Sequence, residues 1–481
     1  MNNSRLNYTP KTSAFEHQVE AIQYIVNNAQ VALFDEQGLG KTKIVIDALA
    51  ILMHKADIEG ILVVSPMSLV YIWEMEVTKH SFLTPVVLRG SKREKRYKFL
   101  TGATFYITNY EAIVAELERI KRFCKSRKVA IVLDESARIK DPKTKTAQAL
   151  FDLRAHSVKR VIITGTPVAN KPVDIWAQYY FLDGGKLLGD NFNIFRSKFN
   201  EKSAEYQTQL TKLKESINEN SIRRLKDDVL ELPEKRFLNV YVELRDKQLA
   251  LYQELRDCLK IEIQQMDGQT VIDESSNILK KLLRLSQIAS NPLLIDKGYN
   301  ETPAKFEKLI DLLGEISLRD EKTIIWTSFV GNILLLRNIL KDLNPLLIYG
   351  DISVKERAIS VERFQESSKN RVIIANPSAA REGLTLTKAN NAIYLDRTFN
   401  LVDYLQSQDR IHRISQTKKC TIYKLLAKNT IDDYIDCVIE FKSNIAGFIQ
   451  ADTDAINLES LNFLENKKKL LELLGGYNGK G

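Results

Sequence analysis

The sequence has few cysteines, and the four that occur lie far apart with no C-x-x-C spacing: Cys124, Cys258, Cys420 and Cys437. Zinc modules and disulfide frameworks need recurring, closely spaced cysteines, so neither is indicated. The first ten residues, MNNSRLNYTP, contain no apolar signal core, and no run of 18 apolar residues occurs anywhere. We therefore expect a cytoplasmic protein, neither secreted nor membrane-bound, in a reducing compartment.

The sequence also has no large excess of one charge, because it contains 70 Lys and Arg residues and 61 Asp and Glu residues. The resulting net charge of +9 is compatible with a polyanionic partner and equally with an ordinary solvated basic surface. At 481 residues the chain is too long for one ordinary hydrophobic core. The length predicts about two or three domains.

A glycine loop between two apolar segments is the most informative stretch. The run DEQGLGKT follows a predicted strand, Val31 to Phe34, and precedes an amphipathic segment, Lys43 to Leu52. Strand, glycine loop and helix form the context in which backbone N–H groups and a helix N-terminus bind phosphate. The predicted nucleotide-binding residues are Asp35, Glu36, Gln37, Gly38, Leu39, Gly40, Lys41 and Thr42.

Within this loop the residue types suit ATP with Mg²⁺. Lys41 would contact the β- and γ-phosphates, and the Thr42 hydroxyl would bind Mg²⁺. Gln18, which lies ahead of the loop, can donate and accept at once, as the adenine edge requires. The usual pattern G-x-x-x-x-G-K-[ST] is incomplete, because Asp35 stands at the place of its first glycine.

A second marker is an acidic pair after the apolar run Val129 to Leu133. Asp134 would hold Mg²⁺ through its water shell, and Glu135 would orient and deprotonate the attacking water. An acidic pair after a strand is also common as a helix cap. A further predicted strand, Arg160 to Ile163, ends in TGTP, whose hydroxyls could link the acidic pair to a substrate.

Alternating predicted strands and helices indicate an α/β protein with doubly wound parallel sheets. We predict a first α/β domain over 1–184, helical insertions around a connector over 185–303, a second α/β domain over 304–450, and a C-terminal helix and tail over 451–481. Near the end of the second domain, QSQDRIHRISQ places Arg410 and Arg413 three residues apart. Two guanidinium groups could stabilise a developing γ-phosphate charge, although a salt-bridged surface helix would look the same.

Taken together, DEQGLGKT, DESARIKD, TGTP, SIRRLKDDVLELPEK, EGLTLTKANNAIYLD and QSQDRIHRISQ resemble the Swi/Snf-type ATPases of helicase superfamily two. The resemblance covers about Phe15 to Ile449, and Asp35 itself matches this branch. It implies two RecA-like lobes in tandem, with Arg410 and Arg413 as arginine fingers. It also implies nucleic-acid backbone contacts at Ser65, Pro66, Thr108, Asn109, Tyr110, Thr327, Ser328, Gly383 and Thr385.

The function that the resemblance implies is ATP-dependent translocation on duplex or branched DNA without sequence preference. We expect a monomer from a prokaryotic cell or a phage-infected host. Two alternatives stay open at this point. One is an RNA helicase or an ATPase that remodels RNA polymerase, and the other is an ATP-gated nucleic-acid-binding scaffold without useful turnover.

Overall fold

The structure is a computed structural model that describes residues 8–168, 170–200, 203–266, 275–379, 384–453 and Leu474. The described chain divides into two compact units, the first formed by 8–231 with 445–453 and the second by 232–444. The division at residue 231 falls inside the segment 185–303 that the sequence assigns to helical insertions. The predicted contact residue Gly383 and nearly all of the predicted C-terminal helix lie outside the described residues.

The first unit is built on a six-stranded parallel sheet with the order β1-β6-β5-β2-β4-β3. Val, Ile and Leu dominate these strands, as expected where helices cover both faces of a parallel sheet. The strands are β1 (Gln30–Leu33), β2 (Gly60–Ser65), β3 (Val86–Val87), β4 (Phe105–Asn109), β5 (Val129–Asp134) and β6 (Lys159–Ile163).

Helices connect successive strands of the first unit and pack on the sheet. The helices are α1 (Glu16–Asn27), α2 (Lys41–His54), α3 (Val70–His80), α4 (Lys92–Leu100), α5 (Tyr110–Lys125), α6 (Lys145–Arg154), α7 (Trp176–Asp183), α8 (Phe192–Ser197), α9 (Tyr206–Glu219) and α10 (Lys226–Val229). Short 3₁₀ helices lie at Ser136–Ile139 and Pro172–Ile175. Helix α2 is almost wholly buried, and Ile44 and Leu49 pack in one core with Val63 and Val132 of the sheet.

The second unit contains another six-stranded parallel sheet, with the order β7-β12-β11-β8-β10-β9. Its strands are β7 (Lys235–Val242), β8 (Lys322–Trp326), β9 (Leu346–Ile348), β10 (Val372–Ala375), β11 (Ala389–Tyr394) and β12 (Cys420–Ala427). Its helices are α11 (Asp246–Gln265), α12 (Ser275–Ser290), α13 (Ala304–Ser317), α14 (Val330–Ile339), α15 (Val354–Glu366), α16 (Leu401–Gln408) and α17 (Ile431–Ile449), with 3₁₀ turns at Pro292–Leu294 and Lys341–Leu343.

Strand β7 belongs to the second sheet, a placement that the sequence does not predict. Its residues fall in the segment 185–303, where the sequence predicts helical insertions around a connector. In the structure they pair in parallel with β12 along the whole length of the strand, from Lys235↔Cys420 to Val242↔Ala427. It is the last strand in the sheet order, and its side chains are mostly exposed or half-buried. An edge strand of this kind lacks the continuous apolar run that marks a buried parallel strand.

The predicted fold class is confirmed: two doubly wound parallel sheets follow each other in the chain, with helices between them. Two apolar clusters cover the second sheet, one around Ile325 and Ile374 and the other around Trp326 and Ile373. Because neighbouring strand residues alternate between faces, these clusters lie on opposite sides. Within the described residues, no helix has both the length and the apolar character needed to cross a membrane.

Candidate nucleotide-binding and hydrolytic site

The glycine loop connects β1 to α2 with the backbone geometry that the sequence predicts. Gly38 and Gly40 have φ angles of 94° and 80°, in the left-handed region that favours glycine. A Cβ atom on Gly40 would also meet Nε2 of Gln18, so the glutamine side chain would have to move to make room for it. Gly40 is the residue directly before α2, which therefore presents its N-terminus at the loop.

Lys41 is folded back onto its own loop. Its ammonium group donates to the carbonyl oxygens of Asp35 at 2.7 Å and Glu36 at 3.0 Å. Burial lowers the pKa of Lys41 to about 8, against the opposing influence of the nearby Glu135 and Asp35 carboxylates. A group held this way is ready to pair with phosphate oxygens.

Two further polar atoms beside the loop show that the site suits a polar ligand. Nε2 of Gln37 and Oγ1 of Thr166 are buried, and neither has a hydrogen-bond partner in the part of the chain that the structure describes. Buried donors without partners carry a free-energy penalty, which phosphate oxygens would relieve. The space beside these atoms is narrow, and glycine at position 165 leaves room in it. A Cβ there would lie 2.8 Å from Cγ of Gln37 and 3.5 Å from Nζ of Lys41.

Gln18 contacts the glycine loop directly. Its Nε2 donates to the carbonyl of Leu39 at 3.1 Å, and its Oε1 accepts from the backbone N–H of Phe15 at 3.1 Å. The neighbouring His17 ring stacks on Phe15 with an interplanar angle of 6°. The predicted adenine-binding residue is therefore fixed to the phosphate loop through its own amide.

Asp134 ends β5 and is surrounded by donors. Its Oδ2 accepts hydrogen bonds from the indole N–H of Trp73 at 2.7 Å and from the Ser65 hydroxyl at 3.0 Å. Its backbone carbonyl accepts from the Tyr110 hydroxyl at 2.7 Å. Burial raises the pKa of Asp134, while the Trp73 and Ser65 hydrogen bonds and the charge of Lys41 favour the ionised carboxylate.

Glu135 turns the chain immediately after Asp134. Its backbone is left-handed, with φ 51° and ψ 52°, an uncommon and strained conformation for a residue with a side chain. The Thr164 hydroxyl donates to its Oε2 at 3.3 Å. The turn interrupts the strand alternation between the two acidic residues, so their side chains are not forced to opposite faces of the sheet.

Gln178 joins the acidic segment to the TGTP loop. Its Oε1 accepts from the hydroxyl of Ser136 at 2.7 Å, and its Nε2 donates to the carbonyl of Pro167 at 2.8 Å. The side chain is completely buried, so neither bond competes with water. The segment that contains the acidic pair is thus connected to the TGTP loop twice, from Glu135 to Thr164 and from Ser136 through Gln178 to Pro167.

The residues present fit a Mg²⁺ ion that is bound together with a nucleotide. Among the described residues, no group of three or more His, Cys, Asp or Glu side chains could hold a metal alone. Mg²⁺ in nucleotide sites usually keeps several waters and uses one or two protein ligands with substrate phosphates. Thr42 and Asp134 are the residues that would hold it.

The predicted nucleic-acid residues of the first unit are largely buried. Ser65, Pro66, Thr108, Asn109 and Tyr110 all lie at the carboxyl ends of β2 and β4, which are neighbours in the sheet. The Ser65 and Tyr110 hydroxyls are already engaged with Asp134, as described above, and Asn109 donates to Glu111 at 2.6 Å. The structure therefore brings this segment and the acidic pair together.

In the second unit, Thr327 and Ser328 are held by Asp396. The Thr327 hydroxyl donates to Oδ2 of Asp396 at 2.6 Å, and the Ser328 backbone N–H donates to Oδ1 at 2.6 Å. Ser290 and Asn332 donate to the same carboxylate at 2.9 and 3.1 Å. This buried network fixes the loop that follows β8.

Arg410 and Arg413 follow α16 and are not part of it, since the helix ends at Gln408. Arg410 donates to the carbonyl of Leu384 at 3.3 Å, and Arg413 donates to the Thr385 hydroxyl at 3.1 Å. Burial lowers the pKa of Arg413 from its high ordinary value. Both arginines therefore contact the Leu384–Thr385 segment, and Arg413 contacts Thr385 itself, a predicted nucleic-acid residue.

Sequence reasoning missed Trp73, Arg224 and Asp396, which contact the predicted site residues Asp134, Asp35 and Thr327, respectively. It also missed Gln178, which bridges the segments on either side of the site. Trp73 lies on an amphipathic helix and counts, by its pattern alone, as a core residue. The available signal was chemical, because a buried indole N–H usually has a hydrogen-bond partner. The residues around Trp73 in the sequence do not indicate that this partner is Asp134.

Comparisons with known proteins find matching family models and relatives. The family model described as SNF2-related domain matches residues 17–294, and the helicase conserved C-terminal domain matches residues 304–415. An uncharacterized ATP-dependent helicase of Mycoplasma pneumoniae is 28% identical over 96% of the chain and 44% of its own length. The ISWI chromatin-remodeling complex ATPase ISW2 of Saccharomyces cerevisiae is 27% identical over 87% of the chain and 39% of its own length.

Among solved structures, the Sulfolobus solfataricus SWI2/SNF2 ATPase core in complex with dsDNA is 28% identical, with a TM-score of 0.45 and coverage of 97% of this chain and 98% of that one. The chain spans less than half the length of the two relatives named above. The SNF2-related model alone covers more than half of the chain. The chain belongs to the SNF2-related family.

Proposed function

We propose that the chain is an ATP-dependent DNA translocase that acts on duplex or branched DNA through backbone contacts. The observation that carries the proposal is the position of Asp134, which accepts hydrogen bonds from Trp73, Ser65 and Tyr110. Ser65 and Tyr110 belong to segments that the family resemblance assigns to nucleic-acid contact, and Trp73 lies on α3, the helix that follows the Ser65-Pro66 segment. A shift in these segments would therefore be felt at the predicted Mg²⁺ ligand.

The hydrolytic roles follow from the local chemistry. The Lys41 ammonium pairs with the β- and γ-phosphates in place of the Asp35 and Glu36 carbonyls that it now contacts. Glu135 orients the attacking water and accepts its proton, with the Thr164 hydroxyl fixing the carboxylate. Bound Mg²⁺ would neutralise charge on the phosphate oxygens. Arg410 and Arg413 are proposed as arginine fingers that stabilise charge on the transferred phosphoryl group.

DNA is the proposed partner because the implied contacts are to backbone groups, which carry no sequence information and allow movement along a strand. Alternating loss and recovery of nucleotide contacts would drive that movement. The chromatin-remodeling name of the yeast relative supports the DNA proposal over the RNA alternative. ATP hydrolysis separates the proposal from an ATP-gated scaffold, which would bind both ligands without turnover.

Steady-state ATP hydrolysis tests the proposal when single-stranded DNA, linear duplex, a forked or four-way junction and RNA are supplied separately. We expect strong stimulation by duplex or branched DNA. Glu135→Gln should abolish turnover while ATP binding persists, and Lys41→Ala should weaken ATP binding itself. Stimulation by RNA alone would refute the proposed substrate, and substantial turnover in both variants would refute the site assignment.

A further inference from the structure

The phosphate loop is bordered by a second segment of the first unit, residues 222–226, far away in the sequence. Ile222 donates to the carbonyl of Ala32 at 2.9 Å, and its own carbonyl accepts from Phe34 at 2.8 Å. Two residues later, the carbonyl of Arg224 accepts from the N–H of Glu36 at 2.9 Å. The segment therefore continues the parallel pairing beyond β1 and runs beside the beginning of the loop.

Arg224 forms a bidentate ion pair with Asp35. Its Nε lies 3.1 Å from Oδ1 and its Nη2 lies 2.8 Å from Oδ2, the fork geometry in which arginine binds carboxylates best. Asp35 is 0% exposed, so its charge has no contact with bulk water. Arg224 also donates from Nη1 to the carbonyl of His17, beside the predicted adenine-binding residue Gln18.

A second cation of the segment holds the next loop residue. The backbone N–H of Lys226 donates to Oε2 of Glu36 at 2.8 Å, and Nζ of Lys226 lies 3.5 Å from Oε1. Lys226 is almost fully buried, whereas the Glu36 side chain is 29% exposed, so this contact is shielded from solvent on the lysine side only. Arg224 and Lys226 thus hold the side chains of Asp35 and Glu36 in turn.

These contacts lead to Lys41. The two carbonyl oxygens that accept from its ammonium group belong to Asp35 and Glu36, the same residues whose carboxylates the segment holds. Fixing a side chain and the adjoining backbone N–H restricts rotation of the peptide groups between them. The Glu36 N–H and the Asp35 carbonyl belong to the same peptide group, so the orientation of this carbonyl, which accepts from Lys41, depends on residues 222–226.

Arg223 connects the same segment to the TGTP loop. Its Nη1 donates to the carbonyl of Phe34 at 2.6 Å and to that of Gly165 at 3.1 Å. Its other face pairs with Asp452, at 2.9 Å from Nε and 2.6 Å from Nη2. Through Arg223, residues 222–226 are therefore fixed to Phe34 directly after β1, to the TGTP loop and to Asp452.

We propose that Arg224 is a positioning residue for ATP binding, acting through Asp35 on the phosphate loop and on Lys41. Asp35 stands where the general loop pattern has glycine, and its carboxylate provides the attachment point for Arg224. The inference rests on the proposed ATP site and adds to it a residue that lies 189 positions after Asp35 in the sequence. Arg224 itself is not assigned a contact with ATP.

Substituting Asp35 by glycine gives the sharpest test, because it restores the general loop pattern while removing the ion pair. Equilibrium titration of the full chain with a fluorescent ATP analogue measures affinity, and ATP kinetics give KM and kcat. The variants are Asp35→Gly, Arg224→Ala, their double variant, and Arg224→Lys. Arg93→Ala, an exposed arginine on α4, is the matched control, and Lys41→Ala reports on the site itself.

We expect Asp35→Gly and Arg224→Ala each to weaken ATP binding about tenfold, as is common when a group that orients a ligand-binding residue is lost. The double variant should bind no more weakly than the poorer single variant, because both remove one interaction. Arg224→Lys should bind with intermediate affinity, since it keeps the charge without the fork. Loss of affinity should appear in KM more than in kcat.

Wild-type ATP affinity in Asp35→Gly would overturn the inference, as would independent, multiplying losses in the double variant. A lower unfolding temperature with unchanged Kd and KM would show that the pair serves stability alone. If Lys41→Ala also bound ATP normally, the proposed ATP site would fail and not merely the role of Arg224. Should Arg224→Ala fail to fold, Asp35→Asn, which keeps shape and one acceptor, replaces it and should bind with intermediate affinity.

Discussion

The indole N–H of Trp73 donates a 2.7 Å hydrogen bond to Oδ2 of Asp134, although 61 positions separate the two residues. Trp73 lies on α3, which follows the predicted nucleic-acid segment Ser65-Pro66, and Asp134 is the predicted Mg²⁺ ligand. Both side chains are buried, so the bond is not weakened by competing water. The bond connects the helix that follows this segment directly to the predicted Mg²⁺ ligand.

Trp73→Phe should therefore lower kcat for ATP hydrolysis. Phenylalanine preserves most of the apolar packing but removes the donor, which leaves the buried carboxylate with one hydrogen bond fewer. We expect a loss of about tenfold or more in DNA-stimulated kcat, with a smaller change in KM for ATP.

Trp176→Phe is the matched control for this prediction. Its indole N–H also donates to a protein acceptor, the carbonyl of Gly189 at 3.0 Å, but it has no bond to the acidic pair. Its kcat should stay close to that of the wild type. Equal losses in the two variants would mean that Trp73 contributes only to packing.

Arg413→Ala should reduce turnover far more than it reduces ATP binding. Arginine fingers stabilise charge that develops only in the transition state, and their removal costs on the order of 10³-fold or more in kcat. Arg337→Ala, an exposed arginine of α14, provides the control. Single-turnover hydrolysis and nucleotide titration separate the two effects, and full turnover without Arg413 would contradict the assignment.

ATP affinity should fall as the pH rises through about 8. The pKa of Lys41 is lowered to about 8 by burial, so the protein without nucleotide loses this cation above that pH. Phosphate binding needs the charged form, hence Kd for ATP should be flat below the pKa and rise by at most about tenfold per pH unit above it. Nucleotide titrations from pH 6.5 to 9.5 would show the effect.

Lys41→Arg is the informative comparison for the pH profile. Arginine stays protonated throughout this range, so the dependence should be absent even if the overall affinity is lower. An identical rise in Kd for both proteins would assign the titration to another group.

Lys305→Met should destabilise the second unit strongly. Nζ of Lys305 lies 2.6 Å from Oδ2 of Asp432, and the two side chains are 0% and 4% exposed. Removing one partner of a buried pair leaves an uncompensated charge and costs about 3–5 kcal/mol. Lys428→Met breaks an exposed pair with Glu243, which water and salt screen, and should leave the stability almost unchanged. Urea unfolding of the variants measures the difference, and equal midpoints would contradict it.

Local pattern was enough to predict several parts of this protein. The loop residues Gly38 and Gly40, the strand that delivers Asp134, and the alternation of strands with helices all depend on neighbours within a few residues. Glycine's access to positive φ and the apolar runs of buried strands are local properties, which is why the two parallel sheets could be predicted from sequence.

Other parts depend on residues that meet only after folding. Strand β7 reveals its place through pairing with β12, since an edge strand with mixed burial has no distinctive pattern. Trp73 looks like any core residue until Asp134 is placed beside it. Arg410 and Arg413 were predicted as a pair, but their contacts with Leu384 and Thr385 were not.

The sequence by itself determined which chemical groups are present and in which local conformations: a phosphate loop, an acidic pair and two parallel α/β units. Tertiary structure alone decided which distant groups orient them. Asp35 looks like a defect of the loop pattern in sequence, and its purpose is visible only against Arg224, 189 positions later. The physical reason is that a buried charge needs a partner, and the chain supplies that partner through the fold rather than through adjacent residues.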